Sequence, residues 1–180
     1  MRSRLLELLW VLNTQHKKIK KKKLNNMKIS EHLSLSEVTR SETAKRKGIS
    51  NTPTAEHLEN FKLLAENVFE KIRANFRAPI HISSGYRSKE LNDAIGGSQT
   101  SQHSKGQAID IDMDGSSNGV SNADVYNFIK DNLEFDQLIW EFGTDKNPDW
   151  VHVSYVNGPN RKQKLKAVRT NGKTSYVNIP

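Results

Sequence analysis

Ser101-Gln102-His103-Ser104-Lys105-Gly106-Gln107-Ala108-Ile109-Asp110-Ile111-Asp112 puts a histidine at the end of a Gly/Ser-rich loop and, seven positions on, a carboxylate inside an alternating run. In such a run Ile109, Ile111 and Met113 face one way, and Ala108, Asp110 and Asp112 the other. A core takes the first set and a cleft the second. A second alternating run, Asp149-Trp150-Val151-His152-Val153-Ser154-Tyr155, supplies another histidine with a carboxylate three residues before it. His103, Asp110 and His152 are therefore candidate metal ligands on two strands and the loop entering one of them.

The composition limits which metal chemistry is open. There is no cysteine, so disulfides and thiolate sites are excluded, and a metal must be held by His, Asp or Glu. At 180 residues with 34% hydrophobic content the chain suits one domain with one core. Its net charge of +8 is uneven: residues 1–26 sum to +7, residues 27–156 to −5, and the last 24 residues carry six Lys/Arg and no acid. A body below neutrality argues against a dedicated nucleic-acid-binding domain, whereas basic ends suit a polyanionic wall or membrane surface.

Residues 1–26 read as a basic leader, disordered or non-native, with Met27 a plausible start. Their apolar core is short, interrupted by Glu7 and followed by the Lys17–Lys23 run, unlike a signal peptide, and too short for a transmembrane span. One helix is expected from Ser34 to about Lys47, stopped by Gly48. A longer one, capped by Thr52 with Pro53 in its first turn, is expected through Arg77. A short strand over 80–84, a helix over 89–95 capped by Ser88, and a helix over 122–133 capped by Ser121 follow. Strands are expected over 107–113, 137–142 and 150–155. Asn171-Gly172 between 163–170 and 173–179 is a strong hairpin signal. The whole reads as α+β, with helices grouped early and a mainly antiparallel sheet carrying the site.

Catalytic zinc takes three nitrogen or oxygen ligands and leaves the fourth position to water, and His103, Asp110 and His152 meet that count. A base must still take the water's proton and return it to the leaving amine. Asp149 is the choice for that base, with Glu141 in the neighbouring strand as runner-up. His57 reads as a surface or capping residue near the start of its helix, and His16, His32 and His81 as surface or packed residues. Asp112 reads as a loop-forming residue that shares the side of Asp110 and could orient a ligand histidine.

Ser83-Ser84-Gly85-Tyr86-Arg87-Ser88, Ser101-Gln102-His103 with Gly106, Ala108 and Asp110, and Asp149-Trp150-Val151-His152 together resemble the zinc D-alanyl-D-alanine carboxypeptidases and related peptidoglycan peptidases. These share the fold of lysostaphin-type enzymes and the hedgehog signalling domain. The resemblance runs from about residue 33 to 155. It implies a hedgehog/DD-peptidase-like fold, Zn²⁺ on His103, Asp110 and His152, and Asp149 as acid/base. It also implies Arg87 at the substrate carbonyl or its developing oxyanion, and Ser101 as a substrate-contacting residue. Some members carry an extra histidine shortly before the acid/base residue, where this chain has Asn147 and Pro148.

The expected organisation is then a leader over 1–26, a zinc peptidase domain over 27–156, and a basic hairpin over 157–180 belonging to the same domain. The expected activity is hydrolysis of peptidoglycan stem peptides by metal-activated water, as a D,D-carboxypeptidase or an endopeptidase, by a monomer with no nucleic-acid partner. An endolysin of phage origin, acting from the host cytoplasm and then on the wall, fits the absence of a signal-peptide pattern. An L-alanyl-D-glutamate endopeptidase is the enzymatic alternative. A non-catalytic wall-binding module of the same fold is the alternative from another class.

Overall fold

The computed structural model describes residues 27–180 together with Trp10, Thr14 and Gln15. The expected leader over 1–26, those three residues apart, lies outside the described residues. Six strands form one sheet in the order β1-β2-β4-β3-β5-β6. They are β1 (Ile82–Ser84), β2 (Ala108–Ile111), β3 (Gln137–Glu141), β4 (Trp150–Ser154), β5 (Gln163–Thr170) and β6 (Lys173–Asn178). The mixed α+β class agrees with the sequence reading. The antiparallel expectation is only partly met, because β5 pairs with β3 in parallel, Gln137 opposite Gln163 and Glu141 opposite Ala167.

That parallel pair has a local cause. After β4 the chain returns to the start of β3, where Lys162 N–H donates to the Phe135 carbonyl (3.1 Å) and Gln163 N–H to that of Asp136 (3.0 Å). Asp136, 3% exposed, also accepts from Arg161 Nε (2.9 Å), Arg161 Nη2 (2.5 Å) and the Arg161 backbone N–H (3.2 Å). A strand launched from that point can only run beside β3 in the same direction. Alternation reveals which residues share a face but not the direction of the neighbouring strand.

The helices differ in detail from expectation. The first is two: α1 (Leu35–Thr39), held by a capping box between Ser34 and Glu37, and α2 (Glu42–Lys47), capped by Ser41. Arg40 is extended between them, and the Ser41 side chain opens a new helix by taking the Ala44 N–H. In α3 (Ala55–Leu64) the cap is Thr54, not Thr52. A π turn over Ala65–Phe69 carries α3 without a break into α4 (Glu70–Phe76). The extra residue per turn keeps Leu64, Ala65, Val68 and Phe69 all in the core. The two remaining helices are α5 (Lys89–Ala94) and α6 (Asn122–Asn132).

The sheet has two unlike faces, as the alternation in β2 predicts. Ile109, Ile111, Leu138, Trp140, Val151 and Val153 point into one core with Phe61, Val68, Ile72, Val125 and Ile129 from the helices. Each such side chain contributes roughly 1.5–3 kcal/mol by leaving water. The opposite face carries Asp110, His152 and Glu141, with a small apolar cluster of Ile139, Leu165 and Ala167 beside them. The helices thus leave one face of the sheet free for polar chemistry.

Gly106 lies where the histidine-bearing turn meets α3. Its φ is +68°, and a Cβ there would stand 2.3 Å from the His57 carbonyl oxygen. Gly48 has nearly the same φ, +67°, but nothing within 4 Å. Gly106→Ala is therefore expected to cost roughly 2–4 kcal/mol, left-handed strain plus overpacking. Gly48→Ala should cost only the strain, about 1 kcal/mol. Thermal denaturation of the two variants checks this, and equal losses would contradict the close-approach argument.

Candidate metal centre

A short 3₁₀ turn, Gln102–Lys105, delivers His103 beside β2. Two contacts fix that turn from behind. His103 Nδ1 meets the Gly85 carbonyl at 2.7 Å, so in the neutral ring Nδ1 carries the proton and Nε2 presents its lone pair to the sheet. The Gln102 side chain donates to Asp136 at 2.8 Å, which ties the turn to the same carboxylate that anchors β5. Gly85 itself is pressed on α1, where a Cβ would come within 2.5 Å of the Val38 carbonyl oxygen.

Register places the other two ligands. Asp110 lies directly opposite His152 in the β2/β4 pair, so both side chains project from the same face. Asp110 Oδ1 is 2.9 Å from His152 Nδ1 and 3.2 Å from His103 Nε2, and the two ring nitrogens are 3.2 Å apart. All three side chains are buried, and their ligand atoms lie within 4.8 Å of one another. Asp110 Oδ2 is taken by Arg87 Nη2 at 2.8 Å. The carboxylate thus divides its oxygens, one toward the imidazoles and one to a guanidinium. Two imidazoles and one carboxylate oxygen converging from a rigid sheet are the donor set that suits zinc.

Burial works against the charge of Asp110, but His103 and His152 beside it outweigh burial and hold its carboxyl well below the usual carboxylate range. Arg87 is held in turn by the Ser84 hydroxyl, which accepts from Nε (3.1 Å) and Nη2 (3.0 Å), and its backbone N–H donates to the His103 carbonyl (3.3 Å). The Ser-Ser-Gly-Tyr-Arg stretch therefore forms one side of the site.

The two carboxylates weighed as base are placed differently. Glu141 is 6% exposed and shares the site face, opposite Trp150. Burial pushes its carboxyl up to about 7; His152 opposes that rise, Asp110 adds to it and Arg87 opposes it. Asp149 is exposed at the entrance to β4 and is not one of the three clustered ligand residues. Its backbone is pinned, with N–H to the Glu141 carbonyl (2.9 Å) and carbonyl to Asn122 Nδ2 (2.9 Å). Ser101 is half-buried just ahead of the 3₁₀ turn. Asp112 accepts from the Asp114 N–H at 2.9 Å and serves its loop.

The roles of four residues escaped the sequence reading. Asn122, fully buried, accepts from the Met113 N–H (2.7 Å) and donates to the Pro148 and Asp149 carbonyls. It couples the end of β2 to the approach to β4. Asn147 accepts from the Ala123 N–H (2.8 Å) and fastens that loop to α6. Gln102 and Asp136 clamp the His103 turn. A polar residue opening an apolar helix stripe was the only signal for Asn122. His57 proves to be a packing residue, with Nδ1 3.1 Å from the Tyr86 hydroxyl.

A buried His-Asp-His set beside a tethered arginine, on the free face of a sheet, fits a metal-binding centre. The Peptidase M15 family model matches residues 31–154, and the chain belongs to that family of zinc D-alanyl-D-alanine carboxypeptidase-like peptidases. Membership implies zinc peptidase activity directed at peptidoglycan. A comparison with curated proteins gave no match. No helix among the described residues is long and apolar enough to cross a membrane.

The raised Glu141 carboxyl has a consequence for the metal-free protein. A carboxyl with a folded pKa of about 7 against an ordinary 4.5 contributes stability that is full below 4.5 and lost as pH rises through 7. In chelated protein, Glu141→Gln should gain on the order of 3 kcal/mol over wild type between pH 5 and pH 8, at about 1.4 kcal/mol per pKa unit. Chemical denaturation in chelator at both pH values measures this, and parallel curves for the two proteins would refute it.

Proposed function

We propose that this chain hydrolyses peptidoglycan stem peptides next to a D-amino acid, as a D,D-carboxypeptidase or endopeptidase of the hedgehog/DD-peptidase fold. The observation that carries it is the convergence of His103 Nε2, Asp110 Oδ1 and His152 Nδ1 on one sheet face, inside the matched family region. When bound, zinc supplies a Lewis acid that polarises the scissile carbonyl and makes water nucleophilic at neutral pH. His103, Asp110 and His152 would hold it, with the tautomer of His103 set by the Gly85 carbonyl.

The remaining steps belong to the protein's own groups. Arg87, fixed by Ser84 and Asp110, offers a guanidinium to the oxygen that becomes negative as the carbonyl is attacked. Asp149 takes the nucleophile's proton and returns it to the leaving amine. Its exposure leaves it open to an incoming substrate. Glu141, buried and raised to about 7, is the alternative base, and its position on the site face supports that second reading. Ser101, two residues before His103, contributes to the substrate side of the turn.

The basic hairpin over 157–180 is part of the same domain in this proposal, since β5 and β6 extend the site's own sheet. The L-alanyl-D-glutamate endopeptidase alternative uses the same residues on a different bond. The test is mass spectrometry of purified peptidoglycan incubated with the zinc-loaded protein. New fragments are expected with zinc, none with chelator, and at least 100-fold less with Asp149→Asn, on the usual size of general acid-base effects. Wild-type rates in Asp149→Asn with loss in Glu141→Gln would transfer the role to Glu141. An unchanged digest with zinc bound would remove the peptidase reading of this chain.

A further inference from the structure

A cavity of about 580 Å³ is lined by Arg87, the arginine that contacts Asp110 of the metal-ligand group. Its wall includes Arg40, Ser41, Ser84, Arg87, Leu91 and Ile95. Arg87 belongs to both places: it lines the cavity and holds Asp110 Oδ2 at 2.8 Å. The cavity therefore begins where the candidate oxyanion-binding arginine stands, and it runs from there toward the junction of α1 and α2.

Two features of the wall point to a ligand. Arg40 sits in the extended link between α1 and α2 and reaches the Ile82 carbonyl only at the limit of hydrogen bonding, 3.5 Å. Among the described residues it has no carboxylate partner, and Glu42, an acid on the same wall, is 77% exposed and faces Lys45 at 3.7 Å. The lining also has an apolar part: Leu91 is buried, but Ile95 is a large hydrophobic left 46% exposed. A cationic fork, serine hydroxyls and an apolar patch within one recess fit a short amphipathic anion rather than a phosphate, which would gain nothing from isoleucine and leucine.

We infer that Arg40 is a specificity residue whose guanidinium takes a free carboxylate of the bound peptide, while Leu91 and Ile95 take the methyl or methylene groups next to it. This rests on the peptidase reading and deepens it, because stem peptides carry such carboxylates at two places: the chain terminus and the γ-linked glutamyl residue. Both offer the same chemistry to Arg40. A terminal carboxylate there makes the chain an exopeptidase; a glutamyl carboxylate places the scissile bond inside the peptide.

The experiment uses the zinc-loaded full chain, its Arg40→Gln and Arg40→Lys variants, and four synthetic stem pentapeptides. One peptide has both carboxylates free, one has the terminus amidated, one has the glutamyl carboxylate amidated, and one has both amidated. KM and kcat come from product mass spectrometry, and affinity from calorimetry with chelated protein. Arg40→Gln is expected to raise KM about tenfold on the free peptide, as for loss of one charge-assisted hydrogen bond, with the effect on KM rather than kcat. Arg40→Lys should recover part of it. On whichever amidated peptide lacks the recognised carboxylate, wild type and Arg40→Gln should have equal KM, which names the group. A KM rise of the same size on all four peptides, or on none, overturns the assignment. If wild type cleaves no peptide but binds the free one in an Arg40-dependent way, the subsite stands and the peptidase reading falls. Binding that is the same in wild type and Arg40→Gln, without cleavage, removes both.

Discussion

A carboxylate buried in the face of a sheet is tolerable only when its charge is met from several sides, and the geometry around Asp110 follows from that requirement. One oxygen is met by two imidazoles and the other by Arg87. Each partner must then be fixed in turn: His103 by the Gly85 carbonyl, Arg87 by Ser84, His152 by register. Zinc, two units of positive charge among the same atoms, is a natural companion for such a group. The arrangement also explains why the turn, the Arg87 stretch and β4 cannot shift independently.

The two faces of the sheet divide the labour. Helices α3, α4 and α6 supply the apolar mass on one side, so the other side is free to hold charged groups near solvent. That division also sets the environment of Glu141, which is buried on the polar face by its neighbours there and has a high carboxyl pKa as a result. Asp149, a few residues away along the chain, stays in water because the loop before β4 is tied down by Asn122 and Asn147 and not drawn into the sheet. Burial thus raises the Glu141 carboxyl, while Asp149 stays at the surface.

Much of this was visible in the residue order. The alternation of Ile109, Asp110 and Ile111 predicted the two faces, and the positions of His103 and His152 predicted which side chains meet. Asn171-Gly172 predicted the hairpin, with both residues at positive φ in the structure, +51° and +75°. What was hidden depends on partners distant in sequence. The direction of β5 is set by Arg161 reaching Asp136, and the clamp on the His103 turn by Gln102 reaching the same acid. A periodic pattern records which face a residue occupies. It does not record the far-off backbone or side chain that completes its hydrogen bonds, so Asn122 read as an ordinary helix start and the extended link at Arg40 as more helix.

The parallel β3/β5 pair also protects the molecule from itself. β3 reads Gln-Leu-Ile-Trp-Glu, a short run of strongly strand-forming residues, and β5 covers its outer edge. The edge that replaces it is β6, where Lys173, Thr174, Ser175 and Asn178, with Pro180 just beyond, make a poorer template than β3 for another chain, although Tyr176 and Val177 are exposed there. Loss of the hairpin would uncover an apolar edge strand beside the active face, inviting neighbouring copies to stack edge to edge. The basic C-terminal segment, whatever it does for binding a polyanionic wall, doubles as a guard against aggregation.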